Sequence, residues 1–168
     1  MDELIKVFVT NLGKYTEGRL IGDWLALPCE DEEINSVMQK IGINERYEEY
    51  FITDYESDIF KIGEYTNIYE LNNTLKEIVE VCDDKGYCQN TLIALAEAET
   101  DSPTEILDYL QNYDIYFYDG MDLEDVGREH ILSCYQIPEE LLNYFDFASY
   151  TSDWYGFTET SVGVIEIN

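Results

Sequence analysis

His130 is the only imidazole in the chain, so proton-transfer or nucleophilic chemistry at neutral pH would have to centre on it or on carboxylates. At helical spacing His130 falls with Leu123, Val126 and Cys134, on the apolar side of its segment. That position predicts a partly buried, hydrogen-bonded histidine, with no triad built around it. The acids are far more numerous, at 37 Asp and Glu. Paired-carboxylate hydrolysis needs two of them at a set separation, and no Asp-Thr-Gly signature marks such a pair. Calcium chemistry fares little better. Asp122-Leu123-Glu124-Asp125-Val126-Gly127 places its glycine correctly for an EF-hand loop, but Val126 and Ser133 stand where that loop needs an oxygen ligand and its closing glutamate. The four cysteines, Cys29, Cys82, Cys88 and Cys134, have neither zinc-finger nor redox spacing, and read as reduced thiols of a cytoplasmic protein. GxGxxG and P-loop patterns are absent. The expectation is a non-enzyme with no cofactor and no dedicated metal.

The elements that would carry these residues alternate between strand and helix. Ile5, Val7 and Val9 alternate with Lys6, Phe8 and Thr10 and predict a strand. Asn11–Gly18 reads as a turn-rich connection, and Leu20–Leu27 as a second strand broken at Gly22. A helix follows, with Asp31 as cap, Ile34, Val37, Met38 and Ile41 as its apolar stripe and Gly42 at its end. Tyr50–Tyr55 is a third strand. Ile68, Leu71, Leu75, Ile78, Val79 and Cys82 form one helical stripe with Thr66 as cap, and Asn90–Glu99 continues helical. Ser102-Pro103-Thr104-Glu105 predicts a capping box opening a short helix. Tyr113–Tyr118 is strand-like, Asp122–Cys134 and Pro138–Phe145 are helical, and Val162–Ile167 is a closing strand. The fold class is therefore α+β: three small consecutive domains, α+β (1–62), helical (63–111) and α+β (112–168), forming an elongated, acidic-surfaced chain.

Charge is the abnormal quantity. The 168 residues carry a net −28, with 9 Lys and Arg against the 37 acids. Solubility alone needs a net charge of roughly 2 to 8 in magnitude, and the excess works against compactness. The imbalance is directional: residues 86–168 hold 17 acids and one base, Arg128. Surface ion pairs cannot neutralise that half. A surface this acidic excludes direct nucleic-acid binding and calls for a basic partner. Scaled against B-DNA, with one charge per about 1.7 Å, a charge of 28 matches about 48 Å of duplex. Halophilic adaptation also gives acidic surfaces, but does not explain 15 Tyr, 7 Phe and 2 Trp. No apolar run is long enough to cross a membrane, and Met1-Asp2-Glu3 lacks the basic start of a secretory leader.

Some acids have ordinary explanations. Asp31, Glu32, Glu33, Glu139 and Glu140 sit in first helical turns, where the dipole favours them. Others do not. Asp54, Glu56 and Asp58 alternate, and on an extended segment would form a row at intervals of about 6.6 Å. Asp122, Asp125 and Glu129 share a helix face although like charges at that spacing cost stability. With Asp108, Asp119, Asp146 and Asp153 they make up the candidate phosphate-mimicking set.

Ordered segments along nearly the whole chain carry a family resemblance. They are Asn11-Leu12-Gly13-Lys14-Tyr15, Gly18–Trp24 (GRLIGDW), Tyr47–Glu56 (YEEYFITDYE), Ile137–Asp146 (IPEELLNYFD) and Phe147–Asp153 (FASYTSD). Together they resemble the ArdA antirestriction proteins of conjugative plasmids and transposons. The resemblance implies an elongated homodimer of three-domain chains, shaped like bent B-DNA. It implies occupation of the DNA groove of Type I restriction-modification enzymes, blocking restriction and often modification, with no catalytic residue or cofactor. The family commonly has Arg before the aspartate matched by Asp153, where this chain has Ser152. The resemblance places the dimer contact in the C-terminal domain, and there an apolar edge strand, Tyr113, Ile115, Tyr116, Phe117 and Tyr118, is the natural pairing surface. The charge by itself equally fits an acidic adaptor for another basic protein, such as a nuclease.

Overall fold

The computed structural model describes residues 3–154 and 156–168. It is an α+β fold with two three-stranded antiparallel sheets. The first has β1 (Ile5–Asn11) at its centre, between β2 (Gly22–Leu27) and β3 (Tyr50–Glu56). Ile5, Val7 and Val9 point inward from β1, and Leu25, Leu27 and Ile52 join them from its neighbours. They pack against Ile34, Met38 and Ile41 of α2 (Asp31–Ile41). The other face of this sheet carries Phe8, with Trp24 and Asp54 as its partners across the two ladders.

The turn-rich stretch after β1 is in fact a short helix, α1 (Leu12–Thr16). Asn11 decides this. Its Oδ1 accepts from the Lys14 backbone N–H at 2.9 Å, while its Nδ2 donates to the carbonyls of Ile41 and Gly42 at 3.3 and 3.1 Å. One buried amide thus starts α1 and closes α2. Lys14 Nζ donates to the same Ile41 carbonyl at 2.8 Å. Gly42 ends α2 with φ +82°, as its position predicts.

Three helices follow: α3 (Ile68–Lys85), α4 (Gln89–Ala98) and α5 (Pro103–Asn112). The stripe Ile68, Leu71, Leu75, Ile78 and Cys82 is buried. Also on α3, Asn72 is buried and clamps Cys29, accepting from its N–H at 2.8 Å and donating to its C=O at 2.9 Å. The second sheet runs β4 (Ile115–Asp119), β6 (Gly163–Ile167), β5 (Phe157–Thr160), with β6 central. α4 lies against all three of its strands. A single apolar cluster runs from Leu4 through the helices to Ile115 and Ile165. Between β4 and β5 come α6 (Leu123–Cys134), α7 (Glu139–Leu142) and α8 (Phe147–Ser152). α6 crosses α8 at Gly127, where a Cβ would lie 2.6 Å from the Phe147 carbonyl oxygen.

Several sequence expectations shift. Glu30, not Asp31, is the N-cap of α2, and Asn67, not Thr66, caps α3, accepting from Tyr69 N and Glu70 N. Ser102 and Pro103 open α5 as expected, but the capping box does not form, because Glu105 is taken by the Thr100 hydroxyl. The Pro138–Phe145 helix shrinks to α7. Asp146 starts a separate helix by accepting from Ser149 N at 2.9 Å. The strand β5 has no counterpart in the sequence reading; pairing with β6 creates it.

Candidate functional site

All ten candidate carboxylates, Asp54, Glu56, Asp58, Asp108, Asp119, Asp122, Asp125, Glu129, Asp146 and Asp153, are exposed. No described carboxylate anywhere in the chain is buried, and only Asp23, Asp101 and Glu166 are even half-buried. This follows from the cost of desolvating a charge, which a core without cations cannot offset.

Eight of the nine cations are spent elsewhere, and the ninth, Arg19, is exposed with no side-chain partner among the described residues. Lys6 pairs with Glu3, Lys40 with Asp23, Arg46 with Glu17, Lys61 with Asp101, and Lys76 lies between Glu30 and Asp31. Lys14 and Lys85 donate to the carbonyls of Ile41 and Leu110. Arg128, the only base of the C-terminal half, pairs with Glu124 at 2.8 Å and lies over the Phe147 ring. Among the described residues, none of the ten candidates has a cationic partner.

Their local roles differ. Asp54 and Glu56 stand two apart on β3, opposite Phe8 and Lys6. Asp58 does not continue the row: β3 ends at Glu56, and the chain bends where the Ser57 hydroxyl accepts from Ile59 N and Phe60 N. Asp122 and Asp146 are helix caps, with Asp122 accepting from Asp125 N at 2.8 Å. Asp119 accepts from Asn90 at 2.9 Å and Asp108 from Asn112 at 2.8 Å. Glu56, Asp58, Asp125, Glu129 and Asp153 have no side-chain hydrogen bond among the described residues. The EF-hand-like stretch after Asp122 is helix, not loop.

The strand named for pairing divides into different environments. Tyr113 precedes β4 and stacks on Tyr109 at 4.9 Å. Ile115 is buried in the chain's own core, with Phe117 packed beside it. Tyr116 is 54% exposed, and Tyr118 donates to Glu166 at 3.2 Å. Burial, and then the Glu166 carboxylate, push the Tyr118 phenol above its ordinary value. β4 is an edge strand, hydrogen-bonded only to β6.

His130 departs from expectation. It is exposed, with no side-chain hydrogen bond among the described residues, and its ring lies edge-on to Trp154 at 4.4 Å. It borders a cavity of about 530 Å³ between the second sheet and the α6/α8 pair, lined also by Tyr118, Tyr150, Trp154, Phe157, Glu129 and Glu166. Of the lining residues, Tyr118, Val126, Glu129, His130 and Ser133 carry a reading from the sequence, whereas Tyr150, Trp154, Phe157 and Glu166 were given no role. The signal available was the spacing of Tyr150 and Trp154, four apart in an aromatic-rich stretch.

Comparison with known proteins gives one family. A family model described as Antirestriction protein (ArdA) matches residues 7–166. No curated protein sequence matches the chain.

Proposed function

The chain belongs to the ArdA family of antirestriction proteins, and on that premise we propose that it is a DNA mimic that inhibits Type I restriction-modification enzymes by occupying their DNA-binding groove. It acts by electrostatic and steric occlusion, as an inhibitor and not a catalyst, and blocks modification as well as restriction. The observation that carries this reading is the set of ten exposed carboxylates, none in a salt bridge among the described residues, on a chain whose C-terminal half has a single, already paired base. Their charge is available to a basic groove in the way that phosphate charge is. Complementary fields of this kind speed association and select the partner.

The mimicking set is Asp54, Glu56, Asp58, Asp108, Asp119, Asp122, Asp125, Glu129, Asp146 and Asp153. The working unit is a homodimer joined through the 112–168 domain, with the free edge of β4 and exposed Tyr116 at the contact; the 1–62 and 63–111 domains extend the acidic surface. The accessible surface supports an extended form: 9945 Å² for 19.6 kDa, against about 8,600 Å² for a typical monomer of that mass.

The test is competition. The purified protein is titrated against a Type I methyltransferase core bound to duplex DNA, at rising salt. It should displace the DNA, with affinity falling as salt rises, and its expression should restore plating of unmodified phage on a restricting host. A salt-indifferent complex would count against phosphate mimicry. Unchanged plating by soluble, expressed protein would turn the reading to an acidic adaptor for some other basic protein.

A further inference from the structure

The cavity beside His130 is unlike the rest of the acidic surface. Elsewhere all the described carboxylates but Asp23 and Asp101 are exposed. Here two of them rim an aromatic recess. Tyr118 and Phe157 lie offset and nearly parallel at 6.2 Å, with 27° between their planes. Trp154 meets Phe157 edge-on at 5.1 Å, and Tyr150 meets Trp154 edge-on at 4.8 Å. The rings therefore meet as a corner, one pair near parallel and the others near perpendicular. Glu166 is held in place: one oxygen accepts from the Tyr118 hydroxyl at 3.2 Å and the other from Asn168 Nδ2 at 2.7 Å. Glu129 has neither ion pair nor hydrogen bond among the described residues. The nearest base in sequence, Arg128, turns away to Glu124 and Phe147.

We propose that this cavity is a receptor for one arginine side chain of a basic protein partner. Ring faces carry negative potential and attract cations held over them. A guanidinium is planar, so it stacks on a ring while its fork of N–H donors reaches a fixed carboxylate. Lysine, a compact and strongly hydrated charge, would gain the carboxylates but not the stacking. A calcium or magnesium ion needs a shell of oxygens that two carboxylates among rings do not supply. The identity of the partner rests on the antirestriction reading; the arginine site does not, since it is a property of this cavity alone.

The test uses the full chain carrying Trp24→Phe, so that Trp154 alone reports by fluorescence. It is titrated with N-acetyl-arginine methylamide, with the lysine equivalent, and with the uncharged citrulline equivalent. Arginine should give a saturable change, with lysine weaker and citrulline at least tenfold weaker. Glu129→Gln with Glu166→Gln should weaken arginine binding about tenfold. Asp54→Asn with Glu56→Gln removes the same charge at a distance and should leave it within twofold. Circular dichroism verifies that each variant is folded. No saturable change, or equal losses in the two double variants, would overturn the proposal. So would a fall to monomer mass in the cavity variant alone, which would make the recess part of a dimer seam. These results stand whether or not the protein inhibits a restriction enzyme.

Discussion

Asn11→Ala tests whether one of the segments that carry the family resemblance serves the fold or the inhibitory surface. Asn11 is fully buried and makes three hydrogen bonds. Alanine removes the cap of α1, worth about 1 kcal/mol. It also removes the donors to Ile41 and Gly42. Neither carbonyl is stranded, since Lys14 Nζ still reaches the first at 2.8 Å and Asn44 Nδ2 the second at 3.0 Å. Each lost bond therefore costs its net value of about 1 kcal/mol, not the penalty of an unsatisfied group. The sum is about 3 kcal/mol, or a melting point about 9 °C lower for a chain of this size. Asn11→Asp separates the parts. It keeps the acceptor for Lys14 N–H but sets a carboxylate against two carbonyl oxygens, so it should destabilise at least as much. Calorimetry reads the stability, and inhibition per folded molecule, measured well below the transition, should be unchanged. An alanine variant melting within about 2 °C of the parent would refute the ledger; an aspartate variant as stable as the parent would show that the donors contribute nothing.

Gly127→Ala should lower the urea midpoint. The new Cβ meets the Phe147 carbonyl and the Thr151 hydroxyl, and overpacking of about 1 to 3 kcal/mol outweighs a helical gain of about 1; a raised midpoint would mean that α8 can move aside. Tyr116→Asp, on the open edge of β4, should halve the mass seen by sedimentation, and an unchanged dimer would place the contact elsewhere. Glu97 is held below the ordinary carboxylate range by the Ser161 hydroxyl and then the Ser161 backbone N–H. A depressed carboxyl stabilises fully above its unfolded value and loses that contribution as pH falls through the folded one. The Ser161 amide resonance should therefore shift only on acidification below the ordinary carboxylate range, and Glu97→Gln should abolish the shift. Sodium chloride should raise the urea midpoint, because a Debye length of about 3 Å at 1 M screens repulsion among unpaired carboxylates; a flat midpoint would mean that they stand too far apart to repel.

The features visible in sequence were those with a period. The β1 alternation, the α3 stripe and the Gly42 stop each declare themselves within a few residues. What escaped depends on distant contacts. α1 exists because Asn11 reaches across to Ile41 and Gly42, and β5 because β6 pairs with it. The break between α7 and α8 has no glycine or proline to mark it, and α8 starts where Asp146 accepts from the Ser149 N–H. Asp58 left its row because Ser57 turns the chain. For the candidate site, exposure could be read from charge alone, but lack of pairing could not, since it depends on where nine cations come to lie. The cavity draws on five separate elements or their flanks, and no local pattern spans them.

Two of the ten candidate carboxylates, Asp122 and Asp146, hold helices in place. A cap looks like an alternative to mimicry, because its charge already has a structural explanation. The energetics of binding argue otherwise. Fixing a free surface side chain against a partner costs about 0.5 to 1.5 kcal/mol of rotamer freedom. Asp122 and Asp146 have given up that freedom on folding. Each has one oxygen on a backbone N–H, while the side chain stays exposed. Asp119, tied to Asn90, is held in the same way. A phosphate in DNA is likewise fixed by its backbone before any protein meets it. On the DNA-mimic proposal, the acids with structural duties would be the better imitations, and the unanchored ones, Glu56, Asp58, Asp125, Glu129 and Asp153, would add field more than geometry. The cations follow the same division. Lys14 and Lys85 lie on backbone carbonyls and Arg128 on Glu124 and Phe147, so the fold consumes positive charge in holding itself together and leaves the negative charge facing out.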